Sequence, residues 1–131
     1  MFRLYFDADI SLANSGCIRN DLILPEGPIK LSKLSNIIND KIIVKLIPGS
    51  AILKMLEYAV KGLPHSFMGS FLLVSGIKYS FDLTKTPRVQ SVEWNGEPLD
   101  VNRLYSVAMP SYLANGSDGF DFIKQYHKIV D

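Results

Sequence analysis

The sequence is poor in the residues that build disulfides and metal centres. It contains one cysteine, Cys17, and two histidines, His65 and His127, among 131 residues. A single cysteine cannot form an intramolecular disulfide, and it cannot supply a structural zinc site made of cysteines. The histidines are far apart and have no ligand-like spacing, so we interpret them as ordinary surface or half-buried residues. We therefore predict no metal ligands and no catalytic residues in this chain.

Long apolar runs and an excess of charge are also absent. The longest apolar runs, such as 42–44 and 71–74, are too short to cross a bilayer, which predicts no membrane segment. The 14 basic and 13 acidic residues leave a net charge of +1, which gives no electrostatic case for a nucleic-acid partner. Residues 1–7 do not read as a signal peptide, because no apolar region or small-residue cleavage site follows them. The compartment stays unknown.

Several catalytic motifs are missing. The sequence has no P-loop, no G-x-G-x-x-G and no G-x-S-x-G, so a serine hydrolase has almost no support. A solvated surface explains the lysines better than a binding stripe, because they are spread over different predicted elements. These are Lys30, Lys33, Lys41, Lys45 and Lys54.

The length fits one domain, residues 1–131. Apolar residues recur at helical spacing from Ser50 to a stop at Gly62, with Glu57 and Lys61 one turn apart in a favourable order. A shorter helix is predicted from Ser32, carrying Leu34, Ile37 and Ile38, and a last helix carries Phe120, Ile123 and His127. Strands are predicted at 9–13, 41–47, 71–74, 77–81, 89–94 and 104–109, with a tight turn at Asn95-Gly96. The order predicts a mixed β-sheet packed with helices, of α+β or layered α/β type.

Two loops that follow predicted strands are candidate binding sites. In the first, Asn14 to Arg19, an arginine that can bind phosphate with two hydrogen bonds follows the turn at Gly16. In the second, Tyr112 to Phe120, Asp118 can accept hydrogen bonds from ribose hydroxyls and Tyr112 can stack on a base. Taken alone, the first loop is better explained as a strand-end turn with an exposed arginine. The second is equally a turn in which Asp118 caps a helix.

Four segments in order carry a family resemblance. They are Asn-Ser-Gly-Cys-Ile-Arg (14–19), Phe-Leu-Leu-Val-Ser-Gly-Ile (71–77), Val-Glu-Trp-Asn-Gly-Glu-Pro-Leu-Asp (92–100) and Tyr-Leu-Ala-Asn-Gly-Ser-Asp-Gly-Phe (112–120). They resemble N-(G/S)-G-x-(I/F/L)-R, F-L-Q-V-S-G-(I/L), V-N-G-x-x-L-D and (F/Y)-L-A-x-G-G-D-G-(F/Y) of the C-terminal domain of the 5'-nucleotidase family. The match runs from about residue 8 to residue 124, and its first and last segments are specific to that family.

The resemblance implies a fold, a partner domain and a set of site residues. In that family an N-terminal metallophosphatase domain holds two divalent metals, and the C-terminal domain supplies the nucleotide pocket. Arg19 would hold the substrate phosphate, Asn14 would contact the substrate beside it, Tyr112 would take the place of a stacking phenylalanine, and Asp118 would bind the ribose. Asn115 and Gly116 complete the predicted substrate-binding set. The substrate would be a nucleoside monophosphate or another phosphomonoester.

The sequence departs from the family at three places, one of which is Cys17, where relatives have a small residue, often glycine. Where relatives have Pro-Phe-Gly, whose phenylalanine completes an aromatic clamp, residues 37–41 read Ile-Ile-Asn-Asp-Lys. The family's upstream helix and phosphate-binding arginine lie before the position of Met1, so we expect an excised domain or the product of a split gene, without its metallophosphatase domain and inactive by itself. A stand-alone nucleotide-binding or regulatory module, or a degenerate domain kept for packing, are the alternatives.

Overall fold

Two sheets form the frame of the molecule. The computed structural model describes residues 2–18, 23–32, 40–66 and 69–130. The strands of the larger sheet are β1 (Ile10–Asn14), β2 (Ile42–Pro48), β3 (Leu72–Ser75), β7 (Leu104–Pro110) and β8 (Lys128–Val130). They lie in the order β3-β1-β7-β2-β8. β1 and β7 are parallel and the other neighbours are antiparallel, which makes the sheet mixed, as predicted.

The smaller sheet is a hairpin with a short third strand. It consists of β4 (Ile77–Phe81), β5 (Val89–Trp94) and β6 (Glu97–Pro98). β5 and β6 are joined at Asn95-Gly96, where both residues have positive φ, 52° and 77°. This left-handed pair is the turn that asparagine followed by glycine favours between antiparallel strands, and it confirms the predicted tight turn.

A long helix covers the core. α2 (Gly49–Val60) buries Ile52, Met55, Leu56 and Val60, whose spacing places them on one face. Short helices are also present at α1 (Phe2–Tyr5) and α3 (Ser111–Ala114). The chain thus forms an α+β fold, as predicted, and α3 follows directly from the end of β7.

The predicted last helix is wrong. Phe120 and Ile123 are fully buried, but they lie on or beside two short 3-10 turns, Ser117–Gly119 and Asp121–Ile123, and β8 follows. Phe120, where the helix was predicted to begin, has a non-helical backbone with φ −88° and ψ 34°. The chain after the turns adds a strand to the sheet, where the Leu46 N–H donates to the His127 carbonyl at 2.9 Å.

Two further expectations are corrected. Lys45 does not belong to a solvated surface: its side chain is buried, because strand alternation places it on the same face as Ile43 and Ile47. Glu57 does not pair with Lys61; its carboxylate accepts from the backbone N–H groups of Arg88 and Val89, at 2.9 Å each. The predicted positions Leu34, Ile37 and Ile38 lie outside the described residues.

Candidate functional site

The two candidate loops meet at one edge of the larger sheet. β1 ends at Asn14, and β7, its parallel neighbour, ends at Pro110 and leads into α3 and the second loop. Parallel strands bring their carboxyl ends to the same edge, where ligand crevices of such sheets gather. There the Asn14 Nδ2 donates to Asp118 Oδ2 at 3.3 Å, across 104 residues of sequence.

The Asp118 carboxylate joins three chain segments. Its second oxygen, Oδ1, accepts from the Tyr112 hydroxyl at 2.9 Å, so both oxygens have a protein donor. The backbone of Asp118 is left-handed, with φ 56° and ψ 26°, between Gly116 and Gly119, whose φ angles are 84° and 87°. The conformation turns the carboxylate towards β1 rather than along the turn. The interpretation of Asp118 as a helix cap is therefore wrong.

Asn14 offers an unused acceptor to this site. The residue is only 2% exposed, and its Oδ1 accepts no hydrogen bond within the described part of the chain. Because the Asp118 carboxylate can only accept, the amide must direct its Nδ2 donor towards that carboxylate, which fixes the Oδ1 on the other side. A buried acceptor without a donor costs about 1–3 kcal/mol, so this atom favours a hydrogen-bond donor brought by a ligand or by solvent.

Tyr112 presents a half-exposed ring beside the carboxylate. The residue is 48% exposed, and its backbone N–H donates to Asp40 Oδ2 at 2.8 Å. The other Asp40 oxygen accepts from the Ser111 hydroxyl and from the Lys41 N–H. Asp40 thus accepts hydrogen bonds from donors in the first turn of α3 and fixes the position of Tyr112. Sequence reasoning missed this role, because the two partners are 72 residues apart and no local motif marks them.

The structure gathers part of the predicted set. Asn14, Tyr112 and Asp118 are joined by hydrogen bonds, and Gly116 is buried close to Lys124 and Asp121. Asn115 is exposed and shows no side-chain hydrogen bond among those found in the described ranges; its N–H donates to the Ser111 carbonyl at 2.9 Å. Arg19 lies outside the described residues, so its predicted place next to Asn14 stays a prediction.

A buried lysine lies beneath the second loop. Lys45 is 6% exposed, and its Nζ donates to the carbonyls of Ala114, Ile123 and Lys124 at 2.8, 3.1 and 3.5 Å. Burial lowers the pKa of Lys45, and the charge of Lys128 on the neighbouring strand lowers it further. Strand alternation with Ile43 and Ile47 was the sequence signal that could have identified this burial.

Chemical reactivity is low at this edge. Burial raises the pKa of the Cys17 thiol, and the nearby charge of Asp40 raises it further, against the effect of a backbone hydrogen bond. The thiol therefore stays protonated at neutral pH and is a poor nucleophile.

In residues 2–18, 23–32, 40–66 and 69–130, no three histidine, cysteine, aspartate or glutamate side chains are placed to hold a metal ion. No helix in the same ranges is long and apolar enough to cross a membrane.

The fold and this edge define a class: an α+β domain that gathers polar side chains at one edge of its larger sheet, without a metal-ligand set in the described ranges. A sequence model of the family described as "5'-nucleotidase, C-terminal domain" matches residues 1–125. The chain belongs to this family, as the sequence motifs predict.

Relatives of known sequence and structure agree with this assignment. Snake venom 5'-nucleotidase of Macrovipera lebetinus is 31% identical over 86% of this chain and 31% of that protein. The mouse (Mus musculus) 5'-nucleotidase is 36% identical over 60% of this chain and 15% of that protein. The crystal structure of a 5'-nucleotidase precursor from Thermus thermophilus superposes with a TM-score of 0.82 and 33% identity, over 98% of this chain and 27% of that one. The chain thus spans less than a third of each of these relatives.

Proposed function

We propose that this chain is the substrate-recognition domain of a metal-dependent phosphohydrolase of the 5'-nucleotidase type. The observation that carries the proposal is the hydrogen-bonded set of Asn14, Tyr112 and Asp118, which joins the two family-specific segments at one edge of the sheet. The ligand class is a nucleoside monophosphate or a related phosphomonoester. The two divalent metals and the attacking water belong to an N-terminal metallophosphatase domain, which is the implied partner.

Each residue of the site has a part in binding. The Asp118 oxygens have lone pairs beyond those used by Asn14 and Tyr112, and these can accept from ribose hydroxyls. The exposed ring of Tyr112 is a stacking face for a base. The Asn14 Oδ1 accepts a hydrogen bond from a ligand hydroxyl or amine, and Arg19 supplies a charge-assisted contact to phosphate. None of these groups activates water, so the chain alone is expected to hydrolyse no nucleotide when divalent metal is added.

Variants at Asp118 test the proposal directly. Asparagine also adopts the left-handed backbone and can keep one bond each to Tyr112 and Asn14, so Asp118→Asn should fold while losing the charge and the spare acceptors. We expect about a tenfold loss of nucleotide affinity, measured by ligand-observed NMR with AMP, UMP and a sugar phosphate. Tyr112→Ala should lose base stacking, and Tyr112→Phe should keep it.

The matched control is Asp121→Asn, which removes the same charge from an exposed residue on the next turn. Its ligand signal should equal that of the unmodified chain. Unchanged binding in both Asp118→Asn and Tyr112→Ala would show that this edge does not recognise the ligand.

A further inference from the structure

One side chain holds both ends of the segment from Ala114 to Ile123, which contains most of the second loop. The Lys45 Nζ donates to the Ala114 carbonyl, where α3 ends, and to the Ile123 carbonyl, where the last 3-10 turn ends. Tyr112 lies two residues before the first anchor, and Asn115, Gly116 and Asp118 lie between the two. The single ammonium group therefore binds both ends of the segment that carries most of the candidate site.

The contacts select the charged form of the lysine. An ammonium has three N–H donors and no acceptor, and three backbone carbonyls surround it. Carbonyls at the ends of helical turns carry partial negative charge and lack partners within the turn, so they suit a cation. In the described ranges no carboxylate forms a salt bridge with Lys45.

We propose that Lys45 is a positioning residue that holds the Ala114–Ile123 loop in the conformation in which Asp118 and Tyr112 can recognise a ligand; this inference rests on the proposed function. Lys45 is not itself an anion contact. Its donors are directed at carbonyls and it is 6% exposed, so a substrate phosphate cannot reach it. Its effect reaches the ligand only through the loop.

The loop is closely packed, so it has little freedom to rearrange if the Lys45 hydrogen bonds are lost. A Cβ on Gly116 would lie 2.8 Å from the Lys124 Cε and 3.0 Å from the Asp121 Cα, so the two arms of the loop are in contact. If the ammonium is removed, two or three buried carbonyls lose their donor, which is unfavourable. The arms then move to reach other donors, and Asp118 moves with them away from Asn14.

The test compares Lys45→Met, which keeps the length and apolar stem of the side chain, with Lys45→Arg, which keeps the charge and donors. The control is Lys78→Met, at an exposed lysine on β4. Backbone amide spectra without ligand should change at residues 115–119 in Lys45→Met and much less in Lys45→Arg. AMP affinity should fall about tenfold in Lys45→Met and be partly restored in Lys45→Arg. Loop amides and AMP affinity unchanged in a folded Lys45→Met chain would overturn the proposal.

A second measurement decides the matter if Lys45→Met does not fold. In the unmodified chain, the Lys45 ammonium should give a protected 15N–1H signal at neutral pH, coupled across hydrogen bonds to the Ala114 and Ile123 carbonyls. A rapidly exchanging ammonium without these couplings would refute the anchor. Both loop readouts need no ligand, so they separate failure of this inference from failure of the proposed function. If the proposed function fails, AMP would not bind even the unmodified chain.

Discussion

Asp118 is held in a backbone conformation that few side chains adopt. Its left-handed φ and ψ are tolerated best by glycine, asparagine and aspartate, and here they direct the carboxylate to Asn14 and Tyr112. The neighbouring Gly119 is even more restricted. Its φ is 87°, and an added Cβ would collide with the Tyr58 hydroxyl oxygen. The loop is thus packed directly on a side chain of α2.

The substitution Gly119→Ala separates packing from backbone strain. A matched control is Gly96→Ala, where φ is 77° and no atom lies within 4 Å of the added Cβ. Gly96→Ala should lower the free energy of unfolding by about 1–2 kcal/mol through its backbone alone. Gly119→Ala should lower it by about 1–3 kcal/mol more, because Tyr58 must move. Urea denaturation measures both, and equal losses would contradict the close packing of the loop on Tyr58.

At the scale of elements, the end of α2 is tied to the start of β5. The Glu57 carboxylate accepts from the N–H groups of Val89, the first residue of β5, and of Arg88, the residue before it. The Arg88 Nη1 donates to the carbonyls of Val60, Lys61 and Leu63. These bonds satisfy donors and acceptors that neither element can satisfy by itself. They connect the smaller sheet to the helix that covers the core.

Glu57→Ala removes two of these bonds. It should lower the free energy of unfolding by about 2–3 kcal/mol, because two partly buried N–H groups lose a charged acceptor. Glu93→Ala, at an exposed glutamate on β5, should change it by less than about 0.5 kcal/mol. The comparison uses urea midpoints at an unchanged denaturant slope. If Glu57→Ala were as stable as Glu93→Ala, the bonds between the helix and the hairpin would contribute nothing to the free energy of unfolding.

Local patterns predicted most of these elements. Alternation predicted β1 and β4, β-branched residues predicted β2, helical spacing predicted α2, and Asn95-Gly96 predicted the turn after β5. The end of the chain was mispredicted as a helix, because β8 exists only through its pairing with β2. The hydrogen-bond partners of Lys45 and Asp40 were missed for the same reason, because they lie 69 or more residues away. Asn14, Tyr112 and Asp118 were found through family motifs, since either loop alone is also explained as a turn.

At the scale of the whole molecule, we expect weak binding of a nucleotide. One stacking face contributes about 1–3 kcal/mol, and residues 37–41 contain no aromatic side chain to complete a clamp. In the proposed two-domain enzyme, the metals that neutralise the phosphate would belong to the other domain. Affinity should therefore lie nearer millimolar than micromolar, or about −4 rather than −8 kcal/mol.

The most direct test is an amide-resolved NMR titration of the unmodified chain with AMP. We expect weak, saturable chemical-shift changes at Asn14, at Tyr112 and at residues 115–119. Smaller shifts are expected in the smaller sheet, such as at Asn95 and Gly96. Saturable shifts confined to other surfaces, or no shift at Asn14 and Asp118 at several times the expected dissociation constant, would contradict the claim that this edge recognises the substrate.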